Sequence, residues 1–136
     1  MAAPTMLAVM HALIRYATAP EQRRLWRVLL GLLLIAITWL ALVPNPPQSL
    51  STGWDKTNHL LAFGSLAFTS VWACWPQPRQ WGRLVGALLA YGIGIEIAQS
   101  FLPPRSAEAA DVLADGLGIA LGLLAAWPIV SVARRR

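Results

Sequence analysis

The sequence predicts an all-α integral membrane protein, a bundle of four transmembrane helices with a short N-terminal interfacial helix. Three observations predict it. Of 136 residues, 57% are hydrophobic and only 12% charged, and the mean hydropathy is +0.54. Soluble domains carry about 25% charged residues. Four apolar segments follow one another, each of the roughly 17–25 residues needed to cross a hydrocarbon core. Finally, the charges are sorted: most arginines fall at one end of these segments and nearly all acids at the other.

The chain divides into an N-terminal segment (1–24), a four-helix membrane domain (25–132) and a basic tail (133–136). The first residues, MAAPTMLAVMHALIRYATA, end on an A-x-A pattern that resembles a signal peptide. They lack a basic leading region, and His11 and Arg15 interrupt the apolar run, so cleavage is not expected. Leu7, Met10, Ile14 and Ala17 share one helical face, which suits a helix lying on the membrane surface. His11 reads as an interfacial side chain.

The apolar segments cover residues 25–43, 57–75, 84–102 and 109–132. Arg27, near the start of the first, can snorkel to an interface. The breaks are PNPPQSLSTG at 44–53, PQPRQWGR at 76–83 and PPRS at 103–106, where proline stops one helix and turns the chain into the next. Arginines crowd the N-terminal flank, the 76–83 loop and the C-terminus, whereas the stretches 44–56 and 103–108 hold only Lys56 and Arg105 as basic residues. The positive-inside rule then places both termini in the cytoplasm of a bacterial inner membrane. Trp26, Trp72, Trp75, Trp81 and Trp127 fall near the inner interface, and Trp39 and Trp54 near the outer one. The single cysteine, Cys74, forms no internal disulfide and reads as packing. Despite a net charge of +5, the arginines flank apolar runs and form no basic face, so no nucleic-acid partner is expected. The expected partner is the lipid bilayer.

Topology accounts for the arginines but not for the polar residues at the outer end. Asp55, Lys56 and His59 lie side by side at the start of the second segment. Asp55 also suits the positive end of a helix dipole, and Lys56 suits an interface marker. Glu96 lies deeper, about 9 Å from its segment's end. A charge inside a membrane helix costs roughly 2.5–3.5 kcal/mol, so it faces the bundle interior and has a partner. Gln99 lies one turn on, and Gly92 and Gly94 beside Glu96 allow a neighbouring helix close. An inter-helix ion pair of Glu96 with Lys56 or Arg105 is the plain structural alternative. In the last segment Asp111, Asp115, Gly118 and Gly122 form one stripe. Asp111 suits a first-turn cap. Asp115 lies too deep for that, and the glycines suit helix packing or a homo-oligomer.

D-K-x-x-H opening one membrane helix, E-x-x-Q near the end of the next, and R-x5-D-x3-D-x2-G-x3-G entering the last together resemble the VanZ-like family. The elements are Asp55, Lys56 and His59; Glu96 and Gln99; and Arg105, Asp111, Asp115, Gly118 and Gly122. The likeness spans roughly residues 30–125. Asp115 departs from the pattern, which often has asparagine there, and adds an acid. The resemblance implies a small bacterial inner-membrane protein with a role in the cell envelope. The founding member is associated with teicoplanin resistance, and the family has no settled biochemical activity.

Three readings of the polar cluster stay open. The first is a binding site for the head group of an outer-leaflet amphiphile or lipid-linked envelope precursor, with Lys56 and Arg105 on phosphate or carboxylate. In that reading Glu96 and Gln99 orient the group and His59 responds to pH. The second is a metal-dependent enzyme acting on a lipid-linked phosphate or sugar, its divalent cation held among Asp55, His59, Glu96, Asp111 and Asp115. No catalytic motif of a known hydrolase accompanies that set. The third is a small proton-coupled transporter subunit relaying protons through Glu96 and His59.

Overall fold

The computed structural model describes residues 5–50, 55–103 and 108–134. Among these residues all regular structure is helical: α1 (Met6–Ala17), α2 (Arg23–Leu42), α3 (Asp55–Ala73), α4 (Trp81–Gln99) and α5 (Ala109–Arg134). Single 3-10 turns at Pro20–Gln22 and Pro78–Gln80 lead directly into α2 and α4. In each, proline at the first position fixes a φ suited to helix entry. These lead-in turns start α2 and α4 two to three residues earlier than the apolar pattern alone places them. Trp54, Arg105, Arg135 and Arg136 lie outside the described residues.

Pro20–Leu42, Pro78–Gln99 and Ala109–Arg134 are long and apolar enough to cross a membrane. α3 falls outside that set because its first turns, DKTNH, are polar. It is instead the central helix, packing most extensively on α5 and also on α2 and α4. Its Phe63, Leu66, Ala67 and Val71 are buried, together with Leu84 of α4 and Ile119 and Ala126 of α5. Leu30, Leu33, Leu34 and Ile37 of α2 cover this core from one side.

Lipid tails are as apolar as leucine, so helices in a membrane associate through close packing and polar contacts. The α3–α5 pair shows how close. A β-carbon at Gly118 would overlap the Leu60 carbonyl oxygen, and one at Gly122 would overlap that of Gly64. Both obstacles are backbone, so neither can yield. α3 and α5 run in the same direction, with α4 returning between them, and the glycine contacts lock their register. His59, one residue before Leu60, therefore stands level with Asp115, three residues before Gly118.

Arginine-rich ends gather opposite the acids. Arg27 Nε donates to the Ala73 carbonyl at 3.1 Å, satisfying the C-terminus of α3. Trp26 Nε1 does the same for Ala17 at the end of α1, at 2.7 Å. Trp81 and Trp127 meet edge to face at the same end. Trp72, at the arginine-rich end of α3, is buried against Trp26 and Phe68, because its helix face points into the bundle. One expectation is corrected here. Cys74 is exposed rather than packed, since α3 ends at Ala73 and the chain turns outward.

Candidate functional site

The polar residues converge where α3 and α5 begin and α4 ends. Asp55, Lys56 and His59 occupy the first turn and a half of α3, Asp111 and Asp115 the same depth of α5, and Glu96 and Gln99 the last turn of α4. His59, Glu96, Gln99, Asp111 and Asp115 are all buried, Asp115 completely.

The centre is His59. Its Nδ1 stands 2.8 Å from Asp115 Oδ1, while its Nε2 faces Glu96 Oε1 across 3.8 Å, too far for a hydrogen bond. A carboxylate on Nδ1 holds the proton there and leaves Nε2 as the free basic nitrogen. Phe63, one turn on, stacks parallel to the imidazole at 6.5 Å between ring centres. Gly92 of α4 makes the room: a β-carbon there would overlap the second oxygen of Asp115. Gly94 is two residues, about 200°, further round α4. It is exposed with open space above it, not set against a neighbouring helix.

Glu96 is tied to the start of α5, not to a lysine. Its Oε2 accepts the Glu108 backbone N–H at 2.9 Å, so one helix supplies a carboxylate to the positive end of another. Lys56 bonds the Glu108 side chain at 2.9 Å and stands 3.7 Å from Asp111 Oδ1. The Glu108 hydrogen bond, with the negative charge of Glu108 and Asp111, holds the Lys56 ammonium above its ordinary pKa. This lysine is therefore engaged by acids of the site. Gln99 Nε2 donates to the Ala41 carbonyl at 2.9 Å, satisfying the open C-terminus of α2. Arg105 lies outside the described residues.

Among the described residues, three buried carboxylate oxygens have no hydrogen-bond partner: Glu96 Oε1, Asp111 Oδ1 and Asp115 Oδ2. One ligating atom each from Asp55, His59 and Asp111 lie within 4.8 Å of one another. Beside them opens a cavity of about 400 Å³ between α2, α3 and α4. Its walls are apolar, with Ile37, Leu40, Phe63 and Ile95 among them, and Asp55, His59 and Gln99 form its polar end.

Three contributors escaped the sequence reading. Glu108 was legible as one more outer-end acid, but its double use, backbone to Glu96 and side chain to Lys56, was not. Gly64, an isolated glycine in an apolar helix, supplies the backbone surface on which Gly118 and Gly122 pack. Tyr91 Oη meets Thr38 Oγ1 at 2.7 Å and ties α4 to α2 beneath the cavity. No spacing in the sequence pairs residues on those two helices.

Neither a curated protein nor a solved structure matches the chain. A family model does, the one described as VanZ/LLP1, over residues 6–131 and thus nearly from end to end. With membrane-length helices and the D-K-x-x-H, E-x-x-Q and D-x3-D elements brought to one end of the bundle, the chain belongs to the VanZ-like family of membrane proteins.

Proposed function

We propose that this protein binds an envelope amphiphile at the outer face of a bacterial inner membrane, and thereby contributes to cell-envelope or glycopeptide tolerance. In this reading α2 to α5 all span the bilayer within residues 25–132. Residues 1–24 carry α1 along the cytoplasmic surface, and the tail 133–136 is cytoplasmic. α3 crosses despite its polar start, because that start lies at the outer interface and the helix is wrapped by its neighbours.

The observation that carries the proposal is the cavity of about 400 Å³. Apolar walls suit a hydrocarbon tail, and the Asp55, His59 and Gln99 end suits a head group that donates and accepts hydrogen bonds. Lys56 is held by Glu108 and Asp111 and acts through them, keeping the rim of α5 in place. Asp115 and Glu96 set the His59 ring from two sides.

The test is a susceptibility profile of a deletion strain against glycopeptides, detergents and lipid-cycle inhibitors. It is complemented with wild type, Glu96→Gln or Ile37→Trp at matched membrane levels. Glu96→Gln removes a buried charge and keeps its shape; Ile37→Trp fills the cavity and leaves the polar end intact. Wild type restores the profile, and both variants fail to. Full restoration by both would remove the binding site from the protein's role and leave it a scaffold.

A further inference from the structure

The polar end that faces a head group in the proposed function also brings three metal-ligating side chains together. We propose that Asp55, His59 and Asp111 form a binding site for a divalent transition-metal cation of the Mn²⁺ or Zn²⁺ kind. The site binds its ion whether or not an amphiphile occupies the apolar part of the cavity.

The donor set comes first. One atom from each of the three side chains lies within 4.8 Å of the other two. Opposite ligands of one ion stand about 4.2 Å apart when metal–ligand bonds are ~2.1 Å. The set therefore has to draw in slightly on an ion, and Asp55, which is exposed, is the side chain with room to move. Two carboxylates with one imidazole suit Mn²⁺ or Zn²⁺, whereas Mg²⁺ and Ca²⁺ favour oxygen alone. Three protein ligands leave positions open for water or for an anionic group.

The second observation is independent of that grouping. Asp111 is only 2% exposed, and its Oδ1 is sealed from solvent without a hydrogen bond. Lys56 Nζ forms an ion pair with it at 3.7 Å, too long for a hydrogen bond, and gives its short contact to Glu108 at 2.9 Å. A buried carboxylate with an unfilled acceptor position is costly, and a cation is what fills it. The proposal assigns Nε2 of His59 to the ion, because Nδ1 is taken by Asp115. Metal-binding histidines almost always present their other ring nitrogen to a carboxylate, and Asp115 occupies that place at 2.8 Å.

The test uses the full chain, purified in detergent, stripped with chelator and titrated with Mn²⁺ followed by electron spin resonance and with Zn²⁺ followed by calorimetry. One saturable site per chain is expected for at least one of the two ions. Asp55→Asn and Asp111→Asn should each weaken it by about tenfold or more, and Asp115→Asn by about 10- to 100-fold through loss of histidine orientation. Glu21→Gln, at the opposite end of the bundle, should leave it unchanged. Nitrogen coupling to bound Mn²⁺ should vanish in His59→Gln. Asp55 is exposed and asparagine also begins helices well, so that variant keeps its fold. Absence of saturable binding of both ions to folded, monodisperse protein overturns the proposal. So does affinity unchanged in both Asp55→Asn and Asp111→Asn.

Discussion

At the scale of single residues, the site is a set of polar and ionisable side chains, most of them buried, and its centre depends on neighbours of the right size. Gly92 illustrates the point. A methyl group there would collide with the Asp115 carboxylate and press on Phe63 at 3.1 Å. Gly92→Ala should therefore destabilise the protein by roughly 1–3 kcal/mol, the usual range for overpacking. The loss should be less than additive with Asp115→Ala, since the second change removes the obstacle. Thermal unfolding of the four variants of that cycle in detergent measures it. Gly94→Ala, two residues on and facing open space, should be neutral to stabilising by up to about 1 kcal/mol, since alanine suits a helix interior better than glycine. Lys56, the chain's single lysine, offers a titration. Its pKa is raised by Glu108, so its pairing contributes fully below the unfolded value and is lost as pH rises through the higher folded one. The contribution is thus constant through neutral pH and fails only in strong alkali. Carbon NMR of the methylated lysine should place its midpoint above the ordinary lysine range, and Glu108→Gln should lower it. The types of residue in the site were all legible beforehand, because charge in an apolar segment stands out. Their pairings were not: an ion pair of Glu96 with Lys56 or Arg105 was one alternative, and among the described residues Glu96 caps the start of α5 while Lys56 bonds Glu108.

At the scale of elements, the parallel α3–α5 pair decides the site's geometry. Glycines spaced four apart in α5 announced a packing face, and the structure puts Gly118 and Gly122 against the α3 backbone. What they pack against could not be read, since Gly64 sits alone in its helix with no repeat to mark it. The register that follows makes a long-range prediction. Gly118→Leu must push α3 and α5 apart, because the obstacle is the Leu60 carbonyl and cannot rotate away. The expected cost is at least about 1–3 kcal/mol of stability. The displacement also separates His59 from Asp115, so the chemical shift of the Nδ1 proton should change in this variant. An unaltered His59 proton signal would mean that the glycine contact does not set the register. In the proposed topology α3 crosses too, and its position explains why its hydropathy is low. A helix wrapped by others needs less apolar surface than one facing lipid, and can spend its first turns on Asp55, Lys56, Asn58 and His59.

At the scale of the whole molecule, the sorting of charge remains the organising fact. The proposed topology places Cys74 on the cytoplasmic side, where it is exposed after the end of α3. A membrane-impermeant thiol reagent should label it in inverted vesicles and not in intact cells with a permeabilised outer layer. Asn45→Cys in a Cys74→Ser background should give the reverse pattern, and the same sidedness at both positions would refute the topology. Hydropathy, proline-marked breaks and the segregation of arginine from acid determined by themselves that the chain is helical, membrane-embedded and polar at one end. They suffice because bilayer thickness and the cost of unsatisfied backbone act on each segment separately. Only the tertiary structure decided that α3 is the centre, that His59 meets Asp115 while Glu96 turns to α5, and that a cavity opens beside them. Those outcomes depend on which backbones can approach most closely, a property of pairs of helices that no single segment carries.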